Sequence, residues 1–157
     1  MRRLPRPCSL RTIVVVAAPA KADDFVGQAS VIDGDTIEIH NARIRLWGVD
    51  APENTRFCRG EDSLQYRCGA EAANALDEFI GKRPVNCAPV NLDRYGRTVA
   101  TCTVGDTDLG EWLFAQGLAL DWPRYSSGKH GPAQQRAEQA GRGIWKRSYV
   151  EPRRYRG

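Results

Sequence analysis

The amino-acid sequence predicts an α+β fold that is mainly a five-stranded Greek-key β-barrel with about three helices. Three observations favour this class. Short segments with β-strand alternation fill the first part of the chain, two more strand-like segments flank a central turn, and segments with helical spacing lie between and after them. At 157 residues, the chain has the length of one domain with a single hydrophobic core.

Three strands are predicted within residues 25–49. VGQASVI is rich in small and β-branched residues, DGD is a turn, TIEIH alternates, and a second short turn leads into RIRLWGV. In this last segment Ile44 and Leu46 share one face of the strand, whereas Arg45 lies on the other face. Arg45 is therefore expected to project away from the apolar side of the strand.

The rest of the chain is predicted to contain a loop, two strands and three helices. Residues 54–68 are polar and irregular, and GAEAANALDEFIG has helical spacing and ends at a glycine. RPVNCAPV and RTVATCTV flank the turn DRYGR as two strands, and TDLGEWLFAQG predicts a second helix with an acidic first turn. A third helix is predicted from Pro132 through QQRAEQAGRG toward Ile144 and Trp145.

The first 22 residues have the order of a secretory signal peptide. MRRLPRPCSLR is basic, IVVVAAPA is a short apolar run, and AKA ends in small residues, which predicts cleavage after Ala22. The apolar run is far shorter than the ~18 residues that span a bilayer. We therefore expect a secreted or periplasmic protein without stable membrane association; the alternative is a disordered N-terminal tail.

Removal of the signal peptide changes the charge balance. The full chain has 23 basic and 19 acidic residues, and the mature chain would keep 18 basic residues against the same 19 acids. The basic pI of the full chain is therefore no argument for nucleic-acid binding. We divide the mature chain into a folded domain, residues 23–147, and a basic tail, residues 148–157, which we interpret as a solvated end, with a phosphate-binding arm as the alternative.

Cysteine usage agrees with export. Cys8 lies in the signal peptide, and the four remaining cysteines of an exported domain predict two disulfides with three possible pairings. The sequence has no CxxC pair, so a zinc site is a poor alternative. Cys87 and Cys102 flank the NLDRYGR turn at similar distances, as cross-strand partners in a hairpin do, which favours Cys87–Cys102 and leaves Cys58–Cys68.

The segments VIDGDT, RIRLWGVDAPE and DRYGRTVA, in this order, resemble the staphylococcal nuclease (thermonuclease) family. The similarity extends from about Ser30 to Trp145, through QGLA after the second helix and GIW at the end of the third. The resemblance implies an oligonucleotide/oligosaccharide-binding (OB) barrel of five strands with three helices, which the strand and helix patterns predict independently. It also implies a thermonuclease-type endonuclease.

Two aspartates in these segments are candidate metal ligands. Asp35 and Asp50 supply hard anionic oxygens suited to Ca²⁺ or Mg²⁺, and two carboxylates leave coordination places for water and phosphate. The resemblance implies that the matching aspartates bind calcium (Ca2+) together with the backbone carbonyl of the next residue, here Ala51. The best-known family site has threonine there, and alanine is expected to be tolerated because the ligand is main chain. Asp33 is expected to be a turn residue.

A phosphodiester substrate, which the resemblance implies, needs cations and a base. Arg45 and Arg97 carry planar, permanently charged guanidinium groups that bind phosphate bidentately. Glu53, three residues after Asp50, suits a general base that activates water. The resemblance implies catalytic roles for these three residues. The alternatives are a surface strand residue for Arg45 and an ion pair with Asp93 for Arg97.

Substrate-binding roles are implied for Arg94 and Tyr95, which match positions that help hold nucleotide in the family. Arg94 replaces a lysine, and packing of the hairpin is the alternative for Tyr95. Trp122 and Tyr125 lie where the family carries tyrosines near the base pocket, but DWPRY does not align cleanly there, so neither is assigned a role.

These features predict an exported, monomeric, calcium-dependent nuclease that hydrolyses DNA and RNA by metal-assisted attack of water. The resemblance implies 3′-phosphate products. One alternative is a catalytically inactive OB-fold module that binds nucleic acid, which the presence of both arginines, the base and both metal acids disfavours. A second alternative is a structural exported domain whose charges form only surface ion pairs.

Overall fold

The structure is a computed structural model that describes residues 23–59 and 64–146. The predicted signal peptide, residues 1–22, and the basic tail, residues 148–157, lie outside the described residues.

Within the described residues the chain forms eleven β-strands, four α-helices and one 3-10 helix. The strands are β1 Phe25–Gly27, β2 Ala29–Asp33, β3 Thr36–Ile39, β4 Ala42–Leu46, β5 Val49–Asp50, β6 Cys58–Arg59, β7 Gln65–Tyr66, β8 Val85–Leu92, β9 Thr98–Val104, β10 Thr107–Asp108 and β11 Leu120–Asp121. The helices are α1 Cys68–Ile80, α2 Leu109–Ala115, α3 Pro123–Ser126 and α4 Gly131–Gln139, followed by the 3-10 helix Gly143–Lys146.

The main sheet has the strand order β1-β8-β9-β4-β3-β2, with β10 paired to β9. Its pairs are antiparallel except for β4 and β9, which run parallel. The path of paired strands is open, but its two ends, β1 and β2, are separated in the chain only by Gln28. If β1 and β2 are counted as one interrupted strand, five strands form a partly open Greek-key barrel of the OB type. The predicted α+β class, with its largely β core, is confirmed.

The core follows the predicted alternation along β3 and β4. Ile37 and Ile39 are fully buried, as is Ile44, and Leu46 is nearly so. Arg45 lies between the two buried β4 residues and is only partly buried, which confirms that it projects from the opposite face. The apolar sides of α1 and α2 join this same core.

The third helix ends earlier than the sequence pattern predicts. α4 stops at Gln139, and the segment around Ile144 is a separate 3-10 helix. Gly141 adopts a left-handed φ of 59°, which ends the helix, and the Ile144 N–H then donates to the carbonyl of Gly117, at 2.9 Å. A tertiary contact thus redirects the chain. The short helix α3 and the hairpin β6–β7 are additional elements in segments for which no regular structure was predicted.

Two disulfides join cysteines in the part of the chain that the structure describes. Cys87 and Cys102 are register partners on β8 and β9, with Cα atoms 4.0 Å apart. Cys58 on β6 is joined to Cys68, the first residue of α1, with Cα atoms 5.6 Å apart. This is the connectivity that the symmetry of the hairpin favours. Within the described part of the chain, no helix is long and apolar enough to cross a membrane.

Candidate active site

The turn between β2 and β3 carries Asp35, a predicted metal ligand that is 4% exposed. Its carboxylate accepts a hydrogen bond of 2.9 Å from the Thr36 hydroxyl and another of 2.9 Å from the Arg45 guanidinium. Its main-chain carbonyl accepts from the N–H of Leu46, at 2.8 Å. The antiparallel pairing of β3 with β4 therefore brings a buried acid and a partly buried arginine into direct contact.

The second predicted metal ligand, Asp50, ends strand β5 and is fully buried. The next residue, Ala51, is also buried and lies against the β2–β3 turn: a methyl group at Gly34 would come within 2.8 Å of the Ala51 Cβ atom. Gly34 immediately precedes Asp35. The Ala51 side chain, next to Asp50, therefore packs closely on the backbone of Gly34, next to Asp35.

The oxygen donors of this junction fit a hard divalent cation. Two buried carboxylates, Asp35 and Asp50, and the main-chain carbonyl of Ala51 are the ligand type that Ca²⁺ prefers, and three protein donors leave places for water and phosphate. Within residues 23–59 and 64–146, no group of three or more His, Cys, Asp or Glu side chains could hold a metal ion. These donors would therefore suit a hard cation with few protein ligands, whose remaining coordination positions water and phosphate would fill.

Glu53 lies on the loop that follows Asp50. Pro52 is buried and Glu53 is exposed, so the loop is anchored beside a carboxylate that reaches solvent. The Asn54 N–H donates to the Asp33 carboxylate, at 2.7 Å, and the Asn54 amide donates to the carbonyl of Ile32, at 3.3 Å. Asp33 is therefore more than a turn residue, because it ties the Glu53 loop to the end of β2. The sequence pattern carried no signal for this contact across 21 positions.

Arg45 has a second neighbour that the sequence motifs did not identify. Its guanidinium carbon lies 5.8 Å from the centre of the Trp122 ring, within the range of a cation–π interaction. Trp122 in turn makes an edge-to-face contact with Tyr125, with ring centres 4.6 Å apart. The carboxylate of Asp35 and the indole of Trp122 therefore both restrict the orientation of Arg45.

Arg97 precedes β9 and is held by Asp93 across the hairpin turn. The Arg97 Nε donates to one carboxylate oxygen of Asp93, at 2.7 Å, and the backbone N–H groups of Tyr95 and Arg97 donate to the other, at 2.8 and 2.9 Å. Burial by itself raises the pKa of Asp93, but these hydrogen bonds and the charge of Arg97 outweigh it, so the pKa is below its usual value. The ion pair with Asp93, the alternative role predicted for Arg97, is therefore present.

Arg94 and Tyr95 lie at the tip of the same hairpin, and both are exposed. The Arg94 guanidinium stacks on the Tyr95 ring at 4.8 Å, and Arg97 contacts that ring at 5.6 Å. Because Val99 on β9 is the parallel register partner of Arg45, Arg97 lies immediately before the strand adjacent to the one that carries Arg45. The predicted site residues thus form two groups, one around Asp35, Asp50 and Glu53 and one on the hairpin.

A partly open five-stranded barrel with helices packed on it is the architecture of an OB-fold protein. Residues 43–147 match the family model described as "Staphylococcal nuclease homologue". The chain belongs to the staphylococcal nuclease family.

Relatives carry different names. The chain is 45% identical over 147 residues to "Succinoglycan biosynthesis protein ExoI" of Rhizobium meliloti, covering 88% of this chain and 77% of that protein. It is 25% identical over 157 residues to "Uncharacterized endonuclease" of Haemophilus influenzae, covering 94% and 81%. It is 29% identical over 113 residues to "Probable endonuclease LCL3" of Clavispora lusitaniae, covering 65% of this chain and 47% of that protein. The family and the two endonuclease names support a nuclease-type hydrolase.

Proposed function

We propose that this chain is an exported, Ca²⁺-dependent nuclease of the thermonuclease type that hydrolyses phosphodiester bonds of DNA and RNA and leaves 3′-phosphates. The observation that carries the proposal is the contact between Asp35 and Arg45. Asp35, a buried acid suited to binding a metal, contacts Arg45, an arginine suited to binding phosphate. The loop that carries Glu53 is tied to the neighbouring end of β2 by the hydrogen bond from Asn54 to Asp33.

Asp35, Asp50 and the carbonyl of Ala51 would hold Ca²⁺. When bound, the ion supplies positive charge to the phosphoryl oxygens, whose negative charge increases in the transition state. Alanine suffices after Asp50 because only its backbone would be a ligand. It also suits the packing, since the small Ala51 side chain lies against Gly34.

Arg45 and Arg97 would bind the non-bridging oxygens of the phosphate. A guanidinium has five N–H donors, and the Asp35 contact uses Nη2 of Arg45, whereas the Asp93 contact uses Nε of Arg97. Donors remain on both side chains for a phosphate. Because Asp93 and Trp122 hold the two guanidinium groups in place, less conformational entropy is lost when the charged transition state is bound.

Glu53 would accept the proton of the attacking water. Its carboxylate is exposed, as a base that meets water and substrate must be, while its main chain is held by the buried Pro52 and by the Asn54–Asp33 hydrogen bond. Attack of water in line with the leaving oxygen requires the Glu53 carboxylate to be held in a fixed position. It does not require a particular nucleotide sequence in the substrate.

Contacts to phosphate rather than to base edges favour activity on both DNA and RNA. Arg94 and the exposed ring of Tyr95, 68% exposed, would add contacts along the strand of nucleic acid. Two disulfides suit an oxidising compartment, which supports export, and we propose that the enzyme acts as a monomer.

Two other functions remain distinguishable. One is a binding module that holds nucleic acid without cleaving it. The other is action on the polysaccharide succinoglycan. It is suggested by the name of the Rhizobium relative, which refers to succinoglycan biosynthesis and not to nucleic acid.

A cleavage assay separates these functions. Purified protein is incubated with DNA, RNA and succinoglycan, each with Ca²⁺ and with excess chelator, and Glu53→Gln serves as the inactive control. We expect DNA and RNA to be cut only with Ca²⁺ and only by the parent. Binding of DNA without any cutting would indicate the inactive module, and cutting of the polysaccharide alone would overturn the nuclease assignment.

A further inference from the structure

We infer that the Cys58–Cys68 disulfide and the first turn of α1 form a positioning device for Glu53. The inference rests on the proposed function, because it takes Glu53 as the general base. It adds a role in catalysis for a disulfide that would otherwise only stabilise the fold.

Main-chain hydrogen bonds connect the disulfide to Glu53. Cys68 is the first residue of α1, and the next N–H, that of Gly69, donates to the carbonyl of Arg56, at 3.3 Å. The N–H of Arg56 donates to the carbonyl of Glu53, at 2.7 Å. The turn that begins at Glu53 is therefore stacked on the start of α1, at the point where Cys68 is bonded to Cys58.

Close packing makes this connection stiff. A methyl group at Gly69 would overlap the carbonyl oxygen of Glu53, so only glycine permits the observed approach. Any shift of the first turn of α1 toward the loop would displace the Glu53 backbone.

The Glu53 side chain depends on this backbone. Among the described residues, its carboxylate makes no hydrogen bond or ion pair, and the side chain is exposed. Its location is therefore decided by where the main chain holds its Cα atom. On the N-terminal side the loop is held by buried Pro52 and by Asn54; on the C-terminal side the disulfide is the covalent anchor.

The second disulfide provides a matched control. Cys87 and Cys102 join β8 and β9, which already pair along most of their length, and neither belongs to the predicted site. The two disulfides close loops of similar length, with sequence separations of 10 and 15, so the chain-entropy model assigns them similar stabilisation. A difference between them in catalysis would therefore not follow from stability.

The experiment compares the double variants Cys58→Ala/Cys68→Ala and Cys87→Ala/Cys102→Ala, assayed on DNA with saturating Ca²⁺ well below their melting temperatures. We expect the first to lose about 10- to 100-fold in kcat, as for a catalytic group displaced by up to an ångström. Its Ca²⁺ affinity, measured by calorimetry, should match the parent. The second should keep parental kcat.

A further arm tests whether the loss acts through Glu53. In a Glu53→Gln background, removal of Cys58–Cys68 should cause less than about twofold additional loss, because the two changes affect one step. If the cysteine variant does not fold, Gly69→Ala replaces it, with the disulfide intact. Its control is Gly131→Ala at the start of α4, where a methyl group meets nothing within 4 Å.

The outcomes are distinct. Equal changes in kcat in both cysteine variants, or additive losses of kcat in the Glu53→Gln background, would overturn the positioning role of the disulfide. The proposed nuclease function would still hold. A parent that does not cut nucleic acid, or a Glu53→Gln variant with parental activity, would overturn the proposed function itself.

Discussion

Arg45 donates a 2.9 Å hydrogen bond to the carboxylate of Asp35, and the two side chains are 15% and 6% exposed. Both partners have a proposed role in catalysis, one toward phosphate and one toward metal. The guanidinium charge lies next to the place where a dication would bind, so the two cations oppose each other electrostatically. This relationship makes the effect of an arginine substitution on metal binding predictable in sign.

Arg45→Ala should lower kcat by about 10²-fold or more, as for a lost oxyanion donor, without weakening Ca²⁺ binding. Removal of a nearby positive charge favours a second cation, so the affinity for Ca²⁺ should be equal or higher. Calorimetric titration of the free protein measures this, with Asp35→Ala as the control that binds Ca²⁺ poorly. The proposed division of roles, with Arg45 binding phosphate and Asp35 binding the metal, is wrong if Arg45→Ala weakens Ca²⁺ binding as much as Asp35→Ala does.

Glu53→Gln should lose about 10²–10⁴-fold in kcat, because the amide keeps the shape of the side chain but cannot accept the proton. Thermal melting provides the control, since an exposed side chain contributes little to stability. Parental activity in a folded variant would rule out this residue as the base.

Asp33→Ala separates a loop anchor from a metal ligand. Loss of the hydrogen bond to the Asn54 N–H, at 2.7 Å, should loosen the Glu53 loop and reduce kcat about 10-fold or more. Ca²⁺ affinity should stay much closer to the parent than in Asp50→Ala. If instead Asp33→Ala and Asp50→Ala weaken Ca²⁺ binding equally, Asp33 is itself a ligand.

Asp93→Asn should destabilise the protein in a pH-dependent way. The pKa of Asp93 is lowered in the folded state, so its charged carboxylate stabilises the fold at pH values above its ordinary pKa of about 3.9. That stabilisation is lost as the pH falls through the pKa of the folded state. The difference in melting temperature between parent and variant should be largest near neutral pH and shrink below about pH 4. A constant difference across this range would contradict a charged Asp93–Arg97 pair.

Arg97 should depend on the same carboxylate for its orientation. In Asp93→Asn the backbone N–H groups of Tyr95 and Arg97 keep an acceptor, whereas the charged partner of the guanidinium is lost. The variant should therefore fold and show a reduced kcat, with a smaller loss than Arg97→Ala in the same assay.

Local chain chemistry was sufficient for much of the fold. The two-residue alternation around Ile44 and Leu46 determined which face of β4 is buried, and therefore where Arg45 points. The symmetry of the hairpin favoured the Cys87–Cys102 pair because cross-strand partners lie at similar distances from a turn. Such features depend on near neighbours in sequence, whose geometry is set by the backbone itself.

The candidate site could be predicted only in part from such local features of the sequence. The motifs identified Asp35, Asp50 and Glu53 as candidates through a family resemblance, but not what holds them. Only the tertiary structure decided that Asp33 anchors Asn54, that Trp122 lies against Arg45, and that Gly69 packs on Glu53. Likewise, the bond from Ile144 to Gly117 decided where the third helix gives way to a separate 3-10 helix.

The physical reason is the range of the interactions. Strand alternation, turns and helical faces follow from steric rules and burial that act within a few residues, so the order of amino acids determines them directly. The contacts that orient the proposed catalytic groups join residues far apart in the chain, which no local sequence pattern links. Those contacts exist only once the chain has folded around its core and brought the β2–β3 turn, the Glu53 loop and the start of α1 together.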